Sequence, residues 1–98
     1  KLQSLILLCL EDGALRFSVI KRTIGDISQR VLTENLRSLE RDGYLTRHVN
    51  PGPPVAVSYK LTPLGQSLVE IYKPLVIWAA GHIGEVKRAR EVYDTRTD

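Results

Sequence analysis

Apolar residues recur at helical spacing in four stretches of the chain, and two shorter stretches alternate as strands do. The first stretch starts at Leu2 and predicts a helix that ends near Asp12-Gly13, because glycine suits the left-handed position after a helix. The second helical stretch covers residues 15–24. The third covers residues 28–41, and the Ser28 hydroxyl can cap it by accepting a hydrogen bond from a first-turn backbone N–H.

The third predicted helix has two chemically different faces. Successive helical residues lie about 100° apart, which places its leucines together with Val31 and Asn35 on one side. The other side carries Arg30, Thr33, Glu34, Arg37 and Arg41. Because a leucine face packs against a core, the charged side is expected to point outward.

Two strand-like runs, residues 44–49 and 55–61, follow Gly43 and predict an antiparallel hairpin. The loop between them, Asn50-Pro51-Gly52-Pro53-Pro54, is stiff, and its prolines prevent the tip from extending the sheet. Thr62 as N-cap and Pro63 as first helical residue then open a fourth helix.

The fourth helix carries an apolar seam at alternating spacings of four and three residues, which is typical of a helix that packs against another helix. The seam consists of Leu64, Leu68, Ile71, Leu75 and Trp78. Pro74 cannot donate to the helical hydrogen-bond ladder, so a kink or break is expected around residues 70–74. Gly81 and Gly84 weaken the continuation, and residues 90–98 are expected to fray.

Helix, short turn, helix and hairpin is the order of elements in a winged helix-turn-helix, whose second helix enters the DNA major groove. We therefore predict a mainly α fold with a small β-hairpin wing that dimerises through its terminal helices. A single domain covers residues 1–98. Within it, residues 14–42 form the helix-turn-helix, residues 44–61 the wing, and residues 63–92 a C-terminal dimerisation helix that is kinked near Pro74.

The net charge of +3 is unevenly distributed along the chain. Residues 16–60 hold eight Lys/Arg against four Asp/Glu, a net +4, whereas residues 1–15 total −1 and residues 61–98 are neutral. A phosphate backbone favours that placement through counterion release. A basic surface without a nucleic-acid partner would carry the same charge, so charge alone leaves both interpretations open.

Several motifs follow one another at consistent spacing. The helices contain Leu15-Arg16-Phe17, Ile27-Ser28-Gln29-Arg30-Val31-Leu32-Thr33 and Leu36-x-x-Leu39-Glu40-x-Asp42-Gly43, and the wing contains Pro53-Pro54, Val57-x-Tyr59-x-Leu61-Thr62 and then Gly65. From Lys1 to about Trp78, the chain thereby resembles the HxlR family of bacterial transcriptional regulators, relatives of the MarR group. The resemblance implies a dimeric winged helix-turn-helix protein that binds palindromic promoter sites, mostly as a repressor and sometimes as an activator.

Two features depart from the family pattern. Leu2 stands where the family usually has tryptophan, and the family's N-terminal segment, which in some members carries a redox-sensing cysteine, has no counterpart here. Cys9 lies among apolar residues near Glu11 and Asp12. We interpret it as a small buried hydrophobe rather than a redox sensor, because a reactive thiol needs an electropositive, accessible setting.

The candidate DNA contacts fall into three groups. Arginine can bind guanine O6 and N7 together, threonine can contact a thymine methyl, and glutamine can pair with adenine. Cations and helix N-termini suit phosphates, and the wing can reach the minor groove or the backbone. The candidates are Gln29, Arg30, Thr33, Glu34 and Arg37 on the third helix, Lys21, Arg22 and Ser28 before it, and Arg47, His48 and Asn50 on the wing.

Some roles within these groups stay open. Glu34 can accept from a cytosine amino group, orient a neighbouring arginine or repel wrong sequences. The sequence does not assign any of the side chains to a base rather than a phosphate. An ordinary solvated helix face is the alternative interpretation of the third helix.

Leu5 and the seam of the fourth helix are the candidate homodimer interface. A two-fold dimer predicts an inverted-repeat operator. A small-molecule effector, if one binds, is expected on apolar surface between the last helix and the core. Two alternatives are a winged helix whose arginine face meets an acidic protein, and a structural dimerisation domain with an incidental basic surface.

Other classes of function find little support in the sequence. It contains no nucleophile–base pairing and no phosphate-cradling glycine loop, so neither an enzyme nor a cofactor is expected. Cys9, His48 and His82 are its only soft ligands, which argues against a metal site. An apolar run at residues 5–10 is too short for a membrane span. It has neither a basic leader nor a small-residue cleavage site, so we do not expect a secretory signal and we expect a cytoplasmic protein.

Overall fold

In the computed structural model, which describes residues 2–96, four helices and three strands follow one another. In order they are α1 (Leu2–Cys9), β1 (Leu15–Arg16), α2 (Phe17–Ile24), α3 (Gln29–Arg41), β2 (Leu45–Asn50), β3 (Ala56–Leu61) and α4 (Pro63–Asp94). The strands form one antiparallel sheet in the order β1-β3-β2. The predicted mainly helical fold with a small β wing is confirmed.

The core lies between the three short helices, the sheet and the start of α4. From α3 it takes Leu32, Leu36 and Leu39, each at most 1% exposed, whereas Val31 lies outside it at 41%. Its other members are Ile6, Leu7, Leu10, Ile20, Leu45, Tyr59, Leu61 and Val69. Burying one such side chain contributes about 1.5–3 kcal/mol. The leucine face therefore holds α3 against the core and leaves its charged face outside.

Leu15 and Arg16 form a strand, and our prediction that they begin the second helix was wrong. Leu15 pairs with Tyr59 and Arg16 with Ser58 along the edge of β3 that β2 leaves free. Apolar spacing over residues 15–24 fits a helix, but only the strand satisfies the backbone groups of that edge. Arg16 stays extended (φ −72°, ψ 154°), and α2 begins at Phe17. The predicted two-stranded hairpin is consequently part of a three-stranded sheet.

The last helix runs without interruption from Pro63 to Asp94. The alternative of a break at residues 70–74 and the predicted fraying of residues 90–94 are therefore wrong, whereas a kink near Pro74 stays a prediction. Residues 97 and 98 lie outside the described range. Pro74 removes one backbone hydrogen bond, whose acceptor would be the carbonyl of Glu70. Because Glu70 is exposed, water can hydrate this carbonyl and the helix continues.

The start of α4 is joined to the end of α3 by hydrogen bonds around Thr62. Thr62 Oγ1 donates to the Gly43 carbonyl (2.6 Å) and accepts from the Gly65 N–H (3.1 Å), which confirms Thr62 as N-cap. The Thr62 N–H donates to the Tyr44 carbonyl at 3.1 Å. A Cβ on Gly65 would collide with that carbonyl, so only glycine permits the close approach. These contacts fix the direction in which α4 leaves the winged helix.

Candidate nucleic-acid interface

The outward side of α3 presents Arg30, Glu34 and Arg37 to solvent, and we call these residues the arginine face. Arg30 Nε lies 3.3 Å from Glu34 Oε2, one helical turn away, with side chains 87% and 60% exposed. An exposed pair at this spacing contributes only about 0.3–0.5 kcal/mol. Either side chain can therefore leave the pair for another partner at small cost. The Arg37 side chain has no hydrogen-bond or ion-pair partner among residues 2–96.

A groove of about 730 Å³ lies between α3 and the sheet. Its lining includes three arginines, Arg16, Arg37 and Arg47, and a single acidic residue, Glu40. Like charges that share one depression repel each other, and a bound polyanion would relieve that repulsion. The predicted candidates Gln29 and Thr33 line the same groove from α3. The tertiary structure thus brings four of the predicted residues together: Gln29, Thr33, Arg37 and Arg47.

The predicted wing residues divide between the two faces of the sheet. Arg47 pairs with Tyr59 and lies two residues after the buried Leu45, so both side chains are on the face that packs against the helices. His48 and Asn50 lie on the other face, where His48 Nε2 contacts Thr46 Oγ1 at 2.9 Å. All three wing candidates are exposed, but only Arg47 faces the groove.

The turn between α2 and α3 brings the remaining candidates to one end of α3. Gly25, with φ 96°, allows the chain to reverse there. Ser28 Oγ accepts from the Val31 N–H at 3.1 Å, which confirms the predicted N-cap. Lys21 and Arg22 lie in the last turn of α2, Arg22 exposed and Lys21 partly buried. First-turn N–H groups and neighbouring cations are the donors that bind phosphate at helix N-termini.

Among the other residues that line the groove, those with hydrophilic side chains that sequence reasoning missed are Arg16, Ser18 and Glu40. Arg16 was read as part of a helix, and only the pairing of β1 with β3 places it beside α3. The arginine in Leu15-Arg16-Phe17 was the one available signal. Glu40 lies on the flank of α3, next to the face chosen from the helical periodicity.

Apolar side chains remain exposed along α4, in contrast to the closed core. The seam residues are 36–74% exposed, and Leu5 of α1 is 54% exposed. Further along α4, Ile77, Ile83 and Val92 are also more than half exposed. Trp78 stacks on His82 of the same helix, with 4.3 Å between the ring centroids, and the outward parts of these apolar side chains stay exposed to solvent.

Cys9 lies at the end of α1 and is partly buried. Burial raises the pKa of its thiol, although a hydrogen bond from the Cys9 backbone N–H acts in the opposite direction. The thiol also donates to the Ile6 carbonyl at 3.1 Å. A raised pKa reduces the thiolate fraction at neutral pH, and the thiolate is the reactive form.

Two other classes of site are absent from the described part of the chain. Residues 2–96 contain no group of three or more His, Cys, Asp and Glu side chains that could hold a metal ion. No helix in the same range has both the length and the hydropathy needed to cross a membrane.

Comparison with known proteins identifies relatives that match most of the chain. A model of the HxlR-like helix-turn-helix matches residues 1–87. The HTH-type transcriptional regulator YtfH of Escherichia coli K12 is 40% identical over 87 residues, which cover 89% of this chain and 69% of YtfH. An HTH-type transcriptional regulator of Methanothermobacter thermautotrophicus is 47% identical over 78 residues, covering 80% of this chain and 60% of that protein.

A solved structure of a transcriptional regulator also has the same fold. The transcriptional regulator YtfH of Salmonella typhimurium superposes with a TM-score of 0.85 and 37% identity, over 93% of this chain and 81% of that one. The matched proteins are transcriptional regulators rather than enzymes.

Proposed function

Since the chain belongs to the HxlR-like helix-turn-helix family of DNA-binding transcriptional regulators, we propose that it binds one operator as a homodimer and represses transcription. The observation that carries this proposal is the arginine face of α3, whose Arg37 also lines a groove together with Arg16, Arg47 and a single acidic residue, Glu40. The side chain of Arg37 has no hydrogen-bond or ion-pair partner within residues 2–96, so it is available to bind DNA. The proposal places the protein in the cytoplasm, with the DNA.

Within this proposal, α3 reads bases in the major groove. Arg30 and Arg37 bind guanine edges, and each bidentate pair contributes about 1–3 kcal/mol of discrimination. Thr33 and Gln29, on the flank facing the wing, contact thymine methyl groups or adenine. Glu34 holds Arg30 in the free protein and releases it, or accepts from cytosine, when DNA binds.

Phosphate contacts then fix the register of α3 on the duplex. Lys21, Arg22 and the Ser28-capped N-terminus of α3 bind one strand's backbone. Arg47 binds phosphate from the face of the wing that borders the groove. His48 and Asn50 reach the DNA backbone or the minor groove from the other face of the wing. Arg16 joins this set because it lines the same groove.

The homodimer forms through α4 and α1. Five seam residues and Leu5 expose apolar side chains that a second copy would cover. A helix of 32 residues extends about 48 Å, long enough to separate two winged helices by one turn of DNA. Half-sites about 34–36 Å apart in an inverted repeat would match such a two-fold dimer. Repression needs no more than occupancy of the operator.

Binding to duplex DNA tests the proposal. Fluorescence anisotropy would compare a duplex from the protein's own promoter with a random duplex of equal length, at several salt concentrations. We expect tighter binding to the promoter and a steep loss of affinity as salt rises. Equal affinity for both duplexes would refute the regulator and favour a module that binds acidic proteins.

A further inference from the structure

A cleft of about 640 Å³ lies between α4 and the turn after α1, away from the DNA candidates. Its walls are apolar and come from Leu61, Val69, Pro74, Ile77 and Trp78. Its rim carries Glu11, Gln66, Glu70 and Lys73. Small-molecule sites have volumes of roughly 300–1,000 Å³, mostly apolar walls and a few polar groups. Trp78 is the one seam residue in its lining, so a dimer through the seam leaves most of the cleft open.

The rim is acidic, although the chain as a whole is basic. Lys73 Nζ lies 2.7 Å from Glu11 Oε2, so these two charges neutralise each other. The hydrogen bond with Glu11 and its charge raise the pKa of Lys73, and Asp12 adds to the effect, which places Asp12 close by. Glu70 has no side-chain partner within residues 2–96. Glu70 and Asp12 therefore leave negative charge at the mouth of an apolar cleft.

We propose that this cleft binds a lipophilic organic cation, such as an aromatic ammonium or phosphonium. The apolar body of the cation would lie against Val69 and Ile77, and its charge would face Glu70. One face of the Trp78 indole is stacked on His82, with 4.3 Å between the ring centroids, so a cation would contact the other face. Among the aromatic side chains, the tryptophan π face attracts cations most strongly. An anion would instead have to displace Glu11 from Lys73 and approach the carboxylates of Glu70 and Asp12.

The position of the cleft gives binding a regulatory consequence, which rests on the proposed function. The Glu11–Lys73 pair spans the two walls, one from the turn after α1 and one from α4. A ligand between these walls favours whichever separation accommodates it. Because Thr62 and Gly65 fix only the start of α4, its more distal part can tilt and change the distance between the two α3 helices of a dimer.

The single tryptophan of the chain is Trp78, so its fluorescence reports directly on the cleft. The unmodified protein, without DNA, would be titrated with tetraphenylphosphonium and separately with tetraphenylborate, an anion of the same shape. We expect a saturable fluorescence change with the cation and little or none with the anion. An equal response to both ions, or a preference for the anion, would overturn the proposal.

Two charge variants make the test sharper because they are expected to change the affinity for the cation in opposite directions. Glu70→Gln should weaken tetraphenylphosphonium binding about two- to fivefold. Lys73→Gln should strengthen it, since it removes a like charge and frees the Glu11 carboxylate. Glu85→Gln, also exposed on α4 but outside the cleft, is the matched control and should leave the affinity unchanged. Circular dichroism would check the fold of each variant.

The outcomes separate this proposal from the proposed function. Binding of the cation is measured without DNA, and operator preference is measured without the cation. Cation binding together with equal affinity for all duplexes would refute the proposed regulator function and support the proposed cation site in the cleft. Operator preference without a fluorescence response to the cation would refute only the proposed cation site. Identical cation affinity in Glu70→Gln and Glu85→Gln would also overturn the assigned charge recognition.

Discussion

The exposed faces of α3 and α4 are both without a partner among the described residues, but their chemistry is opposite. The arginine face of α3 consists of charged groups that water hydrates well. The seam of α4 exposes Ile71, Leu75 and Trp78 by 74%, 58% and 56%. Hydrated charges are stable as they are, whereas exposed apolar side chains gain about 25 cal/mol for each Å² that becomes covered. We infer that the seam needs a permanent partner and that the arginine face suits a reversible one.

The largest expected effect concerns the seam. Leu75→Asp should change a dimer into a monomer, because dimerisation would bury an unpaired carboxylate, at a cost of about 3 kcal/mol or more. The dissociation constant would rise by a factor of over about 100. Sedimentation velocity measures the change, and Leu75→Met, which keeps an apolar side chain, should remain dimeric. A dimeric Leu75→Asp protein would place the interface elsewhere.

The junction that relates the two faces can be tested with a pair of glycine substitutions. Gly65→Ala should lower the free energy of unfolding by about 1–3 kcal/mol, because its Cβ would meet the Tyr44 carbonyl. Gly81→Ala, in the same helix, meets nothing within 4 Å and should raise that free energy by about 0.5–1 kcal/mol. Urea unfolding measures both. Equal effects of the two substitutions would mean that α4 is not held closely at Tyr44.

The arginine face is expected to affect DNA preference and not stability. Arg37→Ala and Arg30→Ala should each reduce the free-energy difference between operator and random duplex by about 1–3 kcal/mol. Arg88→Ala removes an exposed arginine of α4 and serves as the control. Anisotropy titrations measure the preference. If it stayed unchanged in both α3 variants, the assignment of this face to base reading would be wrong.

The smallest expected effect separates two roles of Ser28. Ser28→Ala removes the cap of the Val31 N–H and should cost about 1 kcal/mol of stability. Ser28→Asp keeps a capping oxygen and should retain stability, but its negative charge would repel a phosphate and weaken DNA binding. Thermal unfolding and anisotropy together distinguish these outcomes. If Ser28→Asp bound DNA as tightly as the unmodified protein, the proposed phosphate contact at Ser28 would be wrong.

Local chemistry explains which elements could be predicted. Ser28 and Thr62 cap helices through hydrogen bonds to residues three positions away, so nearby sequence specifies them completely. The leucine periodicity of α3 similarly identified its buried side, except for Val31 at the edge of the contact. Predictions failed where a distant partner or solvent decided the outcome, as in β1, which needs β3, and at Pro74, where water can replace a lost hydrogen bond.

By itself, the sequence determined the order of the helices and the two wing strands, the capping residues Ser28 and Thr62, the outward charge of α3 and the apolar seam of α4, because each depends on spacing along one segment. Only the tertiary structure decided that Arg16, Arg37 and Arg47 line one groove, that His48 and Asn50 face away from it, and that Glu11 reaches Lys73 beside an apolar cleft. The physical reason is that these proximities depend on strand register and helix packing, which join residues far apart in the chain.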